Sequence, residues 1–503
     1  MVVGAGIGGL VVALDLAARG MDVCVVERAS APGGKLREVQ VGPVRLDAGP
    51  TVFTMRWVFE DIFAAAGAAL SDHLCLQAVD ILARHAWSAS ERLDLFADAY
   101  RSADAIAALA GPAEGRRFLD FTARARRIYR TLERPFIRAA RPGPLSLARA
   151  VGARGFGDLW RICPFTTLWR ALGEHFQDPR LRQLFGRYST YCGSSPFAAP
   201  ATLMLVAHVE QDGVWLVQGG MHRVAAAIAQ LAAARGARFR YASEVTRILV
   251  SPSKAGGVEL ATGERIESDA VVVNADVAAV AGGLLGSDVA PAVRPVSAAA
   301  RSLSAVTWLL CARVEGFPLL RHTVFFSHDY AAEFDDIFKQ GRLPRAPTVY
   351  VCAQDRDDQE RRPPDGPERL LCLVNAPATG DSNRFDAALV EDCEARVLSL
   401  LSRCGLRLQA QPGCKTVTTP GDFHRLFPAT GGALYGQASH GWRAAFARPG
   451  SRTRIPGLYL AGGSTHPGPG VPMAALSGRL AAAAVLADLS AETRWEGWRE
   501  QHC

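Results

Sequence analysis

A glycine triplet at the start of the chain narrows its possible folds more than any other feature. Val2-Val3 leads into Gly4-Ala-Gly6-Ile-Gly8-Gly9, and Leu10 to Ala18 carry apolar residues at helical spacing. Asp22 to Val26 then forms a second apolar run that ends in Glu27. Gly4-x-Gly6-x-x-Gly9 thus stands between a strand and a helix, the context a dinucleotide-binding unit requires. Gly4 permits a tight turn, Gly6 lets backbone N–H groups approach a pyrophosphate, and Gly9 lets helix and strand pack closely. The helix N-terminus supplies the anion site. Glu27 lies where a carboxylate accepts hydrogen bonds from ribose hydroxyls and disfavours a 2′-phosphate. Two residues make a short first strand against the usual ~5–6, so a natural chain that begins upstream of Met1 is expected.

The continuation discriminates between dinucleotides. Gly33-Gly34-Lys35 and then Asp47-Ala-Gly49-Pro50-Thr51 follow the acid, and the glycine pair resembles the extended fingerprint of FAD-binding flavoproteins. A plain turn between strands is the alternative. Near the other end, Leu458 to Ala461 runs as a strand into Gly462-Gly463-Ser-Thr-His466-Pro-Gly468-Pro-Gly470-Val471, and an alanine-rich helix follows. That geometry also points N–H groups and a helix N-terminus at an anion or an electron-rich ring. Val245, in the alternating stretch Arg238 to Val250, joins Gly4, Gly6, Gly9, Glu27, Gly33, Gly34, Lys35, Gly462, Gly463 and Val471 as an expected cofactor contact. His466 either meets the flavin ring or caps the turn. No second strand–GxGxxG–helix occurs, which disfavours a separate nicotinamide site and favours electron transfer to oxygen or a quinone.

At ~100–200 residues per domain, 503 residues imply two to four domains. The expected fold is α/β: a discontinuous Rossmann-type FAD domain (1–70, 205–285 and 425–490) with two insertions. One, 71–204, reads as helical and basic; the other, 286–424, reads as a mixed α+β substrate domain with strands near Val306–Cys311, Val349–Ala353 and Leu370–Asn375. The eleven cysteines form no CxxC pair and no His cluster, so neither a zinc site nor a disulfide framework is expected. A reducing, cytoplasmic compartment fits best. The apolar start carries Asp15 and Arg19 without a basic leader, which argues against a signal peptide. No stretch of ~18 uncharged apolar residues suggests a spanning helix. The net charge of +7 comes almost wholly from arginine, with lysine only at 35, 254, 339 and 415, and carries little weight as a nucleic-acid signal.

From Arg116 to Arg170 the chain holds 13 arginines against Asp120, Glu133 and Asp158. They interleave with Phe118, Phe121, Ile128, Tyr129, Leu132, Phe136 and Ile137. Such a stretch can lay arginine stems on apolar surface with their heads at lipid phosphate, or be an amphipathic helix packed on the core. Both readings stay open.

Taken together, Val3–Gly9, Phe185–Gly193, Ser195–Pro200, Gly213–Met221, Phe325–Phe338 and Ala461–Pro467 resemble the bacterial carotenoid desaturase family over nearly the full length. Gly431–Trp442 and Gly468–Ser477 are most similar to its 1-hydroxycarotenoid 3,4-desaturases of purple photosynthetic bacteria. The resemblance implies an FAD enzyme acting on a rod-like polyene and lying peripherally on the cytoplasmic side of the inner or photosynthetic membrane. It also implies an Asp-x-x-Arg element, Asp158 and Arg161, in the substrate cavity, although that spacing equally makes a helix-surface ion pair. A phytoene-type desaturase, a flavin carotenoid isomerase and an amine-oxidase-like enzyme are the rival enzymes. A non-catalytic lipid carrier on the same scaffold would need no pyrophosphate site.

Overall fold

The computed structural model describes residues 1–140, 142–143, 165–252, 254–358 and 365–502. Its organising element is a five-stranded parallel sheet in the order Leu458–Leu460, Val271–Val273, Val2–Val3, Cys24–Val26, Arg238–Arg240. Val2 faces Val25 on one side and Val272 on the other, and Val272 faces Tyr459. Three distant stretches of sequence therefore meet in one sheet. Four of the five runs are apolar because both faces of a parallel sheet are covered; the edge strand Arg238–Arg240 carries two arginines.

Helix Ile7–Ala17 leaves the central strand and is buried along its whole length, as a helix apolar all round must be. It packs against His222–Ala234 and the C-terminal helix Val471–His502. A Cβ on Gly478 would lie 2.4 Å from the carbonyl oxygen of Gly8, so the approach of the two helices depends on glycine. Among the described residues one stretch, Val471–Ala491, is long and apolar enough to cross a membrane. Its residues Ala475, Leu476, Ala481, Ala482 and Val485 instead belong to the core around the first helix, and Arg479 pairs with buried Asp15 at 3.4 Å.

The second sheet has seven strands, in the order Arg407–Thr418, Ser304–Glu315, Glu368–Ala376, Val349–Ala353, His322–Phe325, Ile81–Ala86, Arg92–Phe96. The region from 71 to 204, read from sequence as helical, thus begins with strands, two of which complete the sheet built by residues 304–418. The short alternating run from Ile81 carries Arg84 and His85 inside it, which masks its strand period. Side-chain alternation gives the sheet two faces. Leu370, Cys372 and Val374 join Trp308, Val349 and Val351 in a core covered by helix Ala387–Arg403. Leu371, Leu373, Asn375, Thr307 and Tyr350 point the other way, into a cavity.

Helices close that cavity. Pro112–Leu132 buries Phe118, Phe121, Ala125, Ile128, Tyr129 and Leu132, and its aromatics stack with Phe176 and Phe185 at 4.7–5.7 Å. The apolar side chains that interleave with arginine are therefore core on this helix. The long amphipathic stripe decides it: one face is apolar, so the arginines take the other.

Candidate active site

All the elements above deliver loops to the same place, the carboxyl ends of the parallel strands. One cavity of about 1840 Å³ is lined there by Gly4, Gly6, Glu27, Gly33, Gly34, Lys35, Val245, Gly462, Gly463 and Val471. Single-ligand pockets usually measure ~300–1,000 Å³, so this one has the volume for more than one molecule. Gly9 is not in its wall; a Cβ there would lie 2.1 Å from the carbonyl oxygen of Gly4, so Gly9 serves close strand–helix packing.

The nucleotide end is built from glycine turns. Gly4 has φ +100°, a conformation other residues rarely adopt, and the helix behind it begins at Ile7. Glu27 is held by two backbone donors, with Ala5 N–H on Oε2 at 2.7 Å and Ala29 N–H on Oε1 at 2.8 Å. A carboxylate so anchored retains lone pairs for ribose hydroxyls. Gly34 abuts Gly6, where a Cβ would stand 3.1 Å from the Gly6 Cα. Asn274, at the exit of the strand beside the first one, donates from Nδ2 to the carbonyl of Ala461 at 2.9 Å. Its Oδ1 is buried without a partner, an unmet acceptor in the cradle wall.

Two cations stand between the nucleotide end and the second sheet. The Lys35 ammonium donates to the carbonyl of Leu434 at 2.5 Å, and burial lowers its pKa. Arg448 donates to the carbonyls of Gln437 at 2.6 Å, Tyr435 at 3.1 Å and Gly463 at 3.3 Å; burial lowers its pKa as well. Both side chains stand in a buried region, where a positive charge would stabilise an electron-rich ring that gains charge on reduction.

His466 reaches across to a distant segment rather than to its own glycine turn. It is absent from the cavity wall, its Nε2 donates to the carbonyl of Phe136 at 3.0 Å, and burial pulls its pKa to about 4. Asp158 and Arg161 lie outside the described residues. Sequence reasoning missed Asn274, Arg448 and the substrate-side group Arg187, Tyr191, Glu210 and Tyr350, all in the wall. A polar residue directly after a buried parallel strand is a usable signal for Asn274. Nothing in residue spacing says which way Arg187 or Tyr350 points.

The glycine cradle, anchored acid and paired cations fit a flavin dinucleotide, and comparison with known proteins agrees. The model of flavin containing amine oxidoreductases matches residues 7–486, and the chain belongs to that family. It is an FAD-dependent oxidoreductase. Within the family it is similar to the hydroxyneurosporene desaturase of Rubrivivax gelatinosus, with 59% identity over 98% of this chain and 94% of the relative. The hydroxyneurosporene desaturase of Cereibacter sphaeroides is 45% identical over 98% of each chain. The fold is shared with a solved oxidoreductase from Methanosarcina mazei, with a TM-score of 0.59 at 16% identity, covering 95% of this chain and 98% of that one.

Proposed function

We propose that this protein introduces the 3,4 double bond into an acyclic 1-hydroxy- or 1-methoxycarotenoid. The observation that carries the reading is the continuity of one cavity from the Gly6 and Glu27 cradle to a wall of Leu203, Val206, Leu371 and Leu373. Such a wall suits a rod-like hydrocarbon, and the 3,4 position rests on the resemblance of residues 431–442 and 468–477. Bound FAD supplies the two-electron acceptor, and the flavin is reoxidised by oxygen or a quinone. The chain's own part is to bind and orient. The apolar wall fixes which carbon–carbon bond faces the flavin and excludes water, while a proton lost from the carbon beside the hydride-donating one leaves to a base or to water.

We infer in addition that the protein lies peripherally on a membrane, from which a water-insoluble substrate enters. Exposed Phe165 meets Trp442 edge-on at 5.4 Å, and Trp442 lines the cavity, so cavity wall and exposed aromatic surface join beside the basic segment. Pelleting with anionic vesicles that weakens as salt rises supports this; no pelleting at low salt overturns it.

The deciding test incubates FAD-loaded protein and membranes with 1-hydroxyneurosporene and records absorption spectra. A red shift marks a lengthened polyene. An unchanged spectrum alongside active phytoene desaturation would move the protein to the phytoene-type desaturases. Rearranged geometry without a new double bond would make it an isomerase.

A further inference from the structure

The substrate half of the cavity carries a polar group that the apolar wall does not explain. Among the described lining residues from segments 132–210, 307–375 and 434–446, Arg187 and Glu210 are the only charged ones. Arg187 Nη1 donates to the Tyr191 hydroxyl at 3.0 Å, and its guanidinium lies over the rings of Tyr191 and Tyr350 at 5.3 and 5.4 Å. It has no carboxylate within ion-pair distance among the described residues. Tyr191, Tyr188 and Glu210 are buried beside one another, and burial raises the Glu210 pKa. A donor-only cation with five N–H groups thus faces a cavity otherwise shaped for hydrocarbon, with most of its donors uncommitted. A plain polyene end would leave them unmet, at a cost.

We infer that Arg187, positioned by Tyr191, is the subsite that recognises the oxygen-bearing end of the substrate, donating a hydrogen bond to its tertiary hydroxyl or methoxyl oxygen. The inference rests on the desaturase reading and deepens it. Two features set its location. The oxygen-bearing carbon of a 1-hydroxycarotenoid is two bonds from the nearer carbon of the 3,4 bond, so the anchor must stand within a side chain's length of the reacting position. The hydroxyl of Tyr350, whose ring lies beneath the Arg187 guanidinium, is 2.7 Å from Thr51 Oγ1. Thr51 is two residues from Gly49, which packs on the Lys35 backbone inside the cofactor cradle, where a Cβ would fall 1.8 Å from the Lys35 carbonyl oxygen. The polar group and the flavin cradle are therefore neighbours. Because arginine only donates, it serves an alcohol and an ether alike; it offers nothing to a hydrocarbon terminus.

The test uses FAD-loaded protein and three carotenoids of one polyene length, ending in hydroxyl, methoxyl or hydrogen. Binding is read by fluorescence quenching and turnover by absorption. Wild type is expected to bind both oxygenated ends about 10- to 100-fold more tightly than the plain one. Arg187→Leu should bring the three together, with the flavin spectrum unchanged. Arg187→Lys should restore part of the preference, and Tyr191→Phe should reduce it severalfold. Should Arg187→Leu not fold, Tyr191→Phe decides, since it removes a single oxygen. Equal binding of all three by wild type overturns the subsite, as does a preference that survives both Arg187→Leu and Tyr191→Phe. Selective binding without a new double bond keeps the subsite and sinks the desaturase reading; double-bond formation without selectivity does the reverse.

Discussion

The side-chain amide of Asn274 donates to the carbonyl of Ala461 at 2.9 Å, tying together two strand exits 187 residues apart. The same amide leaves no spare room around it: a Cβ on Gly6 would stand 2.6 Å from Oδ1, and one on Gly8 2.7 Å from Nδ2. One side chain thereby sets the spacing of both glycine turns. Asn274→Ala should lower FAD affinity about tenfold, the equivalent of one buried hydrogen bond and its packing. Flavin release monitored by fluorescence checks this; unchanged affinity would assign Asn274 to packing alone.

Gly6→Ala should be worse for the cofactor than for the fold. The added methyl meets Asn274 Oδ1, whose amide is pinned through Nδ2, so relief must come from the turn itself. The purified variant is expected to be colourless yet to keep its far-ultraviolet circular dichroism. A yellow protein would show that the turn can give way.

Glu27→Ala removes the acceptor for the backbone N–H groups of Ala5 and Ala29 and, on the proposed reading, the partner of the ribose hydroxyls. Flavin affinity should fall at least tenfold, and the melting temperature of the apoprotein should fall too. Isothermal titration with FAD separates the two effects, since a purely structural role would lower the melting temperature alone.

Acid sensitivity should have a histidine component. Burial holds the His466 pKa near 4, and holds His85 and His322 near 3, against ~6.5 in an unfolded chain. Between those values the unfolded state binds more protons than the folded one, so stability is complete above about pH 6.5 and declines as pH falls towards 4. For His466 the full loss is about 3 kcal/mol at ~1.4 kcal/mol per pH unit. Thermal midpoints measured from pH 7.5 to 4.5 should drop less steeply in His466→Gln than in wild type. Parallel curves would remove His466 from the account.

Leu373→Trp should separate the two ends of the cavity. Leu373 faces the substrate half, so a larger side chain there should cut carotenoid turnover at least tenfold while flavin content stays at the wild-type level. Equal loss of both would mean that the bulk reaches the cradle.

The cofactor end was legible in residue order because its chemistry is local. Gly4, Gly6 and Glu27 lie in one strand–turn–helix–strand unit, and such a unit offers a phosphate backbone N–H groups rather than distant side chains. The turn at Gly462 was legible for the same reason. The strands at 306–311, 349–353 and 370–375 also showed in their apolar runs, whereas Ile81–Ala86 did not, because Arg84 and His85 interrupt it.

The chain's order of residues therefore determined the class of cofactor and the places where the backbone must turn tightly, since both depend on neighbours within some thirty residues. Folding alone decided which face of the seven-stranded sheet lines the cavity, that Arg187, Tyr350 and Thr51 converge beside the cradle, and that His466 turns towards Phe136. These are contacts between segments hundreds of residues apart. They exist only once the hydrophobic cores on either side of the cavity have packed and fixed the direction of each side chain.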